Sequence, residues 1–123
     1  MALSFVLIPA AEPKSPAVVR VTGSLTLGPH LLDFGKRLAE HLTSHRGLGL
    51  IIDLAGVHGV DSAGLGELVV LYTTAGQHGS RLCLATASPR ILRLLEITHL
   101  SGILPHFAGE AVAAEWLTEA ARV

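Results

Sequence analysis

The feature that most constrains this chain is a continuous apolar run, LGLIIDL at residues 48–54, which stands between two segments of helical periodicity. A strand with apolar side chains at consecutive positions is typical of a sheet covered on both faces, because alternate residues point to opposite sides. In the segment before the run, apolar or small residues recur at helical spacing, at Leu31, Phe34, Gly35, Leu38 and Leu42. A buried strand flanked by helices predicts an α/β fold.

The alternation of strands and helices continues along the chain. Short apolar runs predict further strands at residues 3–8, 17–22, 81–86 and 103–107. Helices are predicted to begin at Pro29, Ser62, Pro89 and Glu110. Residues 57–61, which contain Gly59, are predicted to form a loop. This order predicts one α/β domain over residues 1–123, with a mixed, mostly parallel sheet of about four or five strands and about four helices.

Composition and charge restrict the classes of function. Half of the residues are hydrophobic, so a core can form, and the formal net charge is -1. This balance gives no basic face of the kind that nucleic acid requires, and we expect no nucleic-acid partner. No run approaches the ~20 apolar residues of a membrane-spanning helix, so we expect no direct membrane insertion and a cytoplasmic location.

Asp61 and Ser62 follow the buried strand and open a helix. We predict Ser62 as the N-cap, where its hydroxyl would lie beside unpaired backbone N–H groups and the positive end of the helix dipole. The same N–H groups would donate hydrogen bonds to a phosphate on that oxygen. Gly64 and Gly66 leave the first turn accessible to another protein. The alternative is that Ser62 is only a capping serine.

The helix that begins at Ser62 has a second informative face. Its predicted inner face consists of Leu65, Leu68, Val69, Tyr72 and Gly76. Helical projection then places Glu67, Val70, Leu71 and Thr74 on the outward side. Apolar residues on an outward face near Ser62 indicate a surface for a partner. The alternatives are that another element covers this face or that the helix is buried all round.

The run DSAGLG at residues 61–66 resembles the D-S-[ST]-G-L-[GA] motif of anti-sigma factor antagonists, which are STAS-domain proteins. Other segments are similar to this family in the same order. VRVTGSL at residues 19–25 resembles the second strand and its G-E-L-D turn, IIDLAGV at 51–57 the strand before the acceptor, and residues 81–98 the fourth strand and its helix. The resemblance is strongest over residues 17–120.

The resemblance implies a partner-switching protein rather than an enzyme. The unphosphorylated antagonist binds an anti-sigma factor that is also a serine kinase, and thereby releases the sigma factor. Ser62 matches the serine that the kinase phosphorylates, and a PP2C-type phosphatase removes the phosphate. ATP and metal belong to those partners, so we expect no cofactor and no metal in this chain. The predicted partner-binding residues are Ser24, Thr26, Asp61, Ser62, Ala63, Gly64, Leu65, Glu67, Val70, Leu71 and Thr74.

Two departures from the family pattern leave a second interpretation open. Ser24 and Thr26 stand where the G-E-L-D turn has its acidic residues, and Ala63 removes the hydroxyl that can follow the acceptor. The alternative is a STAS scaffold that is not phosphorylated, as a subunit of a stress-signalling assembly or a lipid-transport complex. A homodimer is compatible with the sequence in either case.

Two kinds of chemistry are set aside. The serine-hydrolase elbow G-x-S-x-G fails because Val60 occupies the position of its first glycine. His41 and His45 lie four residues apart on a helix, which is a metal-compatible spacing, but no third ligand accompanies them in the sequence. We therefore expect these two to be surface histidines.

Overall fold

Nine elements follow one another in the computed structural model, which describes residues 2–121. The strands are β1 (Ser4–Ile8), β2 (Ala17–Leu25), β3 (Leu50–Val60), β4 (Leu82–Ala85) and β5 (His106–Phe107). The helices are α1 (Pro29–Ser44), α2 (Ser62–Gln77), α3 (Pro89–Ile97) and α4 (Glu110–Ala121). The predicted α/β fold, with about four or five strands and about four helices, is confirmed.

The five strands form one mixed sheet in the order β1-β2-β3-β4-β5. Only β1 runs antiparallel to its neighbour; β2, β3, β4 and β5 pair in parallel. The carboxyl ends of the parallel strands therefore lie at one edge, and β3 delivers the chain from that edge directly into α2.

Strand β3 is covered on both faces, as its unbroken apolar run predicts. Leu50 and Ile52 point into the main core, which contains Phe34 of α1 and Leu68 of α2. Ile51 points to the opposite side, where Ala113 and Leu117 of α4 form a smaller cluster with Cys83. All of these side chains are buried. The domain is thus a sheet with α1, α2 and α3 packed on the main core and α4 on the other face.

The predicted loop at residues 57–61 is wrong, because β3 continues to Val60. Parallel pairing with β2 runs through to the pair Leu25 and Val60, with register shifts on the way. Gly56 permits this pairing: a Cβ there would lie 2.7 Å from the Thr22 methyl group and 2.9 Å from the carbonyl oxygen of Val21. The glycines that indicated a loop serve close strand pairing and bulges instead.

A carboxyl cluster fixes the start of α4 on the sheet. Arg20 of β2 donates from Nε and Nη2 to the two Glu110 oxygens, at 2.9 and 3.0 Å. Asp53, opposite Arg20 in the sheet, is buried and accepts from the backbone N–H of Ala55 at 2.8 Å. Burial raises the pKa of Asp53, and its proximity to Glu110 adds to the rise. The Arg20 hydrogen bonds, with a contribution from Asp53, lower the pKa of Glu110 from 4.5 to about 2.

We expect Glu110→Gln to destabilise the fold at neutral pH and to matter progressively less in acid. The folded pKa of Glu110, about 2, lies below its ordinary value of 4.5, so its stabilising contribution is complete above 4.5 and is lost as the pH falls toward 2. Urea unfolding of both proteins over this pH range measures the difference. Asp53 has a raised pKa, so its own titration changes stability with pH in the opposite direction. Measuring the effect of Glu110→Gln in proteins that also carry Asp53→Asn removes this contribution. A difference that does not change with pH would contradict the account.

Candidate functional site

Asp61 occupies the junction between β3 and α2 and caps the helix. Its Oδ1 accepts from the backbone N–H of Gly64, and its Oδ2 accepts from the backbone N–H of Leu27, both at 2.9 Å. These two hydrogen bonds, that from Leu27 first, lower the pKa of Asp61 and keep a negative charge at this position. One carboxylate thus holds the loop after β2 against the first turn of α2.

Ser62 is the first residue of α2, and the prediction that it caps the helix is wrong. The N-cap is Asp61, in an extended conformation with its side chain on the Gly64 N–H. Ser62 is exposed, and no hydrogen bond of its hydroxyl occurs among residues 2–121. The reason is that Asp61 already takes the N–H that a capping serine would bind. The hydroxyl is therefore accessible and has no structural task within the described chain.

Gly64 sets how closely α2 approaches β2. A Cβ at this position would overlap with the carbonyl oxygen of Leu25 and lie 2.8 Å from its carbonyl carbon. That same oxygen accepts from the Asp61 N–H at 3.2 Å. Gly66, one half-turn further on, faces open space. The two glycines of the motif therefore differ: Gly64 allows α2 to pack closely on β2, whereas Gly66 lies on the exposed side of the helix.

The buried side of α2 is rotated by about one residue relative to the predicted one. Its buried residues are Gly64, Leu65, Leu68, Leu71 and Ala75. The outward placement of Leu71 is wrong, since only 1% of its surface is exposed, and the predicted inward Gly76 is exposed. Helix α2 packs on both the sheet and α1, which widens its buried side beyond the stripe that a single contact would need.

The exposed side of α2 carries Ser62, Gly66 and Val70 at successive turns. Val70 is 55% exposed. Leu27, held beside Asp61 by its N–H, is 77% exposed. We call Leu27, Ser62, Gly66 and Val70 the Ser62 surface. Two exposed apolar side chains and an exposed serine, with no side chain at Gly66, make this surface the candidate functional site.

The remaining predicted residues surround this surface at different depths. Ala63 and Thr74 are half-buried, and the Thr74 hydroxyl donates to the Val70 carbonyl at 2.8 Å. Glu67 points toward α1, where its carboxylate lies over Gly35, and burial raises its pKa. It is therefore half-buried between helices rather than fully outward.

The β2 end brings Ser24 and Thr26 toward the same edge of the sheet. Ser24 is half-buried opposite Gly59 in the parallel pairing, and Thr26 is exposed at the start of the following loop. Leu27, which follows Thr26 directly, is not among the residues predicted for this site. The available signal was a large apolar residue in a turn, between two polar or small neighbours.

His41 lies in the last turn of α1, and His45 follows the end of that helix. Their rings stack with centroids 4.1 Å apart, and His45 Nδ1 lies 2.9 Å from the His41 carbonyl oxygen. Within residues 2–121 no group of three or more His, Cys, Asp or Glu side chains is arranged to hold a metal ion. None of the helices in that same range combines the length and hydropathy of a membrane span.

The fold and the site together define a class: a mixed α/β domain that presents a serine at a helix N-terminus, directly after its central strand. Residues 8–113 match the family model of the STAS domain. The chain belongs to the STAS domain family.

Similar proteins and structures come from several bacteria. Over 69 residues the chain is 45% identical to the anti-sigma-B factor antagonists of Listeria monocytogenes and Listeria innocua, which covers 56% of this chain and 60% of each relative. An anti-sigma factor antagonist from Mycobacterium paratuberculosis has a TM-score of 0.79 at 18% identity, covering 95% of both chains. The anti-sigma factor antagonist SpoIIAA in its unphosphorylated form has a TM-score of 0.75 at 17% identity, covering 94% of this chain and 97% of SpoIIAA. At these identities the structural likeness shows the fold.

Proposed function

We propose that the chain is an anti-sigma factor antagonist that binds an anti-sigma factor with serine kinase activity and is switched off by phosphorylation of Ser62. The observation that carries the proposal is that Ser62 is exposed and does not cap α2, because Asp61 is the N-cap. The names of the Listeria relatives support the same class of protein. SpoIIAA, which shares the fold, exists in a phosphorylated form.

In the unphosphorylated state the Ser62 surface docks the anti-sigma factor. Leu27 and Val70 lose exposed apolar area on docking, which favours association. Gly66 lets the partner backbone approach between Ser62 and Val70. The sigma factor is released because the anti-sigma factor is occupied. Gly64, Leu65 and Leu71 act from the buried side, by fixing where α2 lies.

Phosphorylation replaces a neutral hydroxyl by a group with a charge of about −1.5 to −2. The preceding residue in the chain is Asp61, whose lowered pKa keeps it ionised. When the partner docks, two neighbouring negative charges lose contact with water and repel each other more strongly. This cost weakens the complex. The positive end of the α2 dipole offsets part of that repulsion within the chain. The phosphorylated protein therefore stays folded and loses its partner.

The chemistry of the switch belongs to the partners. The kinase supplies ATP and its metal, and a PP2C-type phosphatase hydrolyses the phosphoserine and restores binding. This chain acts as substrate and ligand in the cytoplasm and not as an enzyme.

Binding measured by calorimetry, with the anti-sigma factor kinase of the same organism loaded with ADP, tests the proposal. We expect Ser62→Asp to weaken binding about tenfold or more, which corresponds to about 1.4 kcal/mol. Ser62→Ala should bind like the wild type. Ser44→Asp, an equal charge change at the far end of α1, is the matched control and should leave the affinity unchanged. Equal weakening by Ser44→Asp and Ser62→Asp would contradict docking at the Ser62 surface.

A phosphorylation-independent STAS scaffold is the second candidate function. The observation in its favour is the pair Ser24 and Thr26, which stand where the antagonist motif has acidic residues. A scaffold of another complex predicts that the wild type does not bind the anti-sigma factor kinase at all, so the same calorimetric measurement separates the two candidates.

A further inference from the structure

A pocket of about 420 Å³ opens between the carboxyl end of β3, the loop after β2 and the outer side of α3. This volume falls in the ~300–1,000 Å³ range of small-molecule sites. Thr26 and Val60, which line it, are neighbours in the chain of Leu27 and Asp61. The pocket is thus a second concave feature at the edge of the sheet where the Ser62 surface lies.

Two arginines contribute to the polar lining of this pocket. Arg90 and Arg93 of α3 contribute to it, together with His58 of β3, and the described lining includes no acidic residue. Among residues 2–121, three other arginines have side-chain partners: Arg20 pairs with Glu110, Arg37 with Asp33, and Arg81 lies over the Trp116 ring. Neither Arg90 nor Arg93 forms an ion pair within that range. Two permanent positive charges in a chain of net charge -1 are therefore available to an anion.

Most of the remaining lining is apolar. Ile97 is 63% exposed, and Leu94, one helical turn before it, is half-buried. Val60 contributes from the strand side. Exposed aliphatic side chains beside unpaired arginines suit a ligand that has an anionic head and an apolar tail. A cation would be repelled by the arginines, and a small polar anion would leave the apolar wall in contact with water.

We propose that this pocket binds an anionic amphiphile of small size, with a carboxylate head against Arg90 and Arg93 and an aliphatic tail against Leu94 and Ile97. Guanidinium groups bind carboxylates through charge-assisted hydrogen bonds, which are stronger than neutral ones. The tail removes apolar surface of Ile97 from water. The site is separate from the Ser62 hydroxyl and requires neither phosphorylation nor a partner protein.

Decanoate, below its micelle concentration, is the probe. Amide chemical shifts of the labelled full chain should change in a saturable manner at Thr26, His58 and the outer side of α3. We expect 1-decanol, which has the tail without the charge, and acetate, which has the charge without the tail, each to bind at least about tenfold more weakly. Shift changes centred elsewhere on the chain, or equal binding of decanoate and 1-decanol, would overturn the proposal.

Variants separate the pocket from general attraction between charges. The double variant Arg90→Gln, Arg93→Gln should weaken decanoate binding about tenfold or more, and Ile97→Ser should weaken it with the head contacts retained. All three residues are exposed, so the melting temperature should not change. Arg46→Gln removes an exposed arginine in the loop after α1 and should leave binding unchanged. If Arg46→Gln weakens binding as much as the double variant, the site is not this pocket.

A ligand in the pocket should also weaken docking at the Ser62 surface. Thr26 lines the pocket, and the next residue, Leu27, belongs to the Ser62 surface. This consequence rests on the proposed function, whereas decanoate binding does not. Calorimetry with the anti-sigma factor, with and without saturating decanoate, tests it separately. Saturable decanoate binding with an unchanged affinity for the partner would remove the coupling and leave the ligand site in place.

Discussion

Gly64→Ala destabilises the domain by about 3 kcal/mol, at the upper end of what overpacking in a rigid site costs. The added methyl group would overlap with the carbonyl oxygen of Leu25, which belongs to the backbone at the end of β2 and cannot rotate away. Helix α2 must then move off the sheet, and the Asp61 N–H loses its acceptor on Leu25. The higher helix propensity of alanine, about 1 kcal/mol, offsets only part of this loss.

Gly66→Ala is the matched control on the same helix. Nothing lies within 4 Å of a Cβ at Gly66, so only the propensity gain remains, and we expect stabilisation by about 0.5–1 kcal/mol. Gly76→Ala, also in open space on α2, should behave in the same way. Urea unfolding followed by circular dichroism measures all three. If Gly64→Ala and Gly66→Ala shift the midpoint in the same direction, the close approach of α2 to β2 is not as described.

Leu71→Ala and Val70→Ala, at adjacent positions, should differ widely in their effect on stability. Leu71 is 1% exposed, and its truncation should cost about 2–5 kcal/mol through lost burial and a cavity. Val70 is 55% exposed, and its truncation should change the unfolding free energy by no more than about 0.5 kcal/mol. Chemical denaturation of the two variants distinguishes a core position from a surface position directly.

The same two residues should exchange roles in binding. Val70→Asp places a charge on the Ser62 surface and should weaken the complex with the anti-sigma factor about tenfold or more. Leu71→Ala, assayed at a temperature at which it remains folded, should retain an affinity close to that of the wild type. Val112→Asp, an exposed apolar residue on α4, is the control for the charge change. Loss of affinity on Val112→Asp as well would argue against a localised docking surface.

The order and kind of the elements could be predicted because period and capping signals are local. The run at residues 48–54 required cover on both faces, and the sheet with α1, α2 and α3 on one side and α4 on the other provides it. The extension of β3 to Val60 could not be predicted, because glycines such as Gly56 and Gly59 are typical of loops. Their role depends on close pairing with β2, a contact between segments about 35 residues apart in the chain.

The details of the site depended on contacts that are not local. Asp61 and Ser62 are both good N-caps, and the choice of Asp61 fits its second hydrogen bond, to Leu27 from the loop after β2. Leu71 looked outward because the projection assumed one buried stripe, whereas α2 packs on α1 as well as on the sheet. The pocket beside α3 likewise combines residues from three separate segments.

Intact-protein mass spectrometry after incubation with the anti-sigma factor kinase and ATP tests the central claim most directly. The kinase must first be shown to phosphorylate another STAS-domain antagonist. The account predicts that the wild type gains the mass of one phosphate, that Ser62→Ala gains none, and that the phosphorylated protein no longer binds the kinase. An unmodified wild type beside a modified positive control, or an equal gain in Ser62→Ala, would contradict a switch at Ser62.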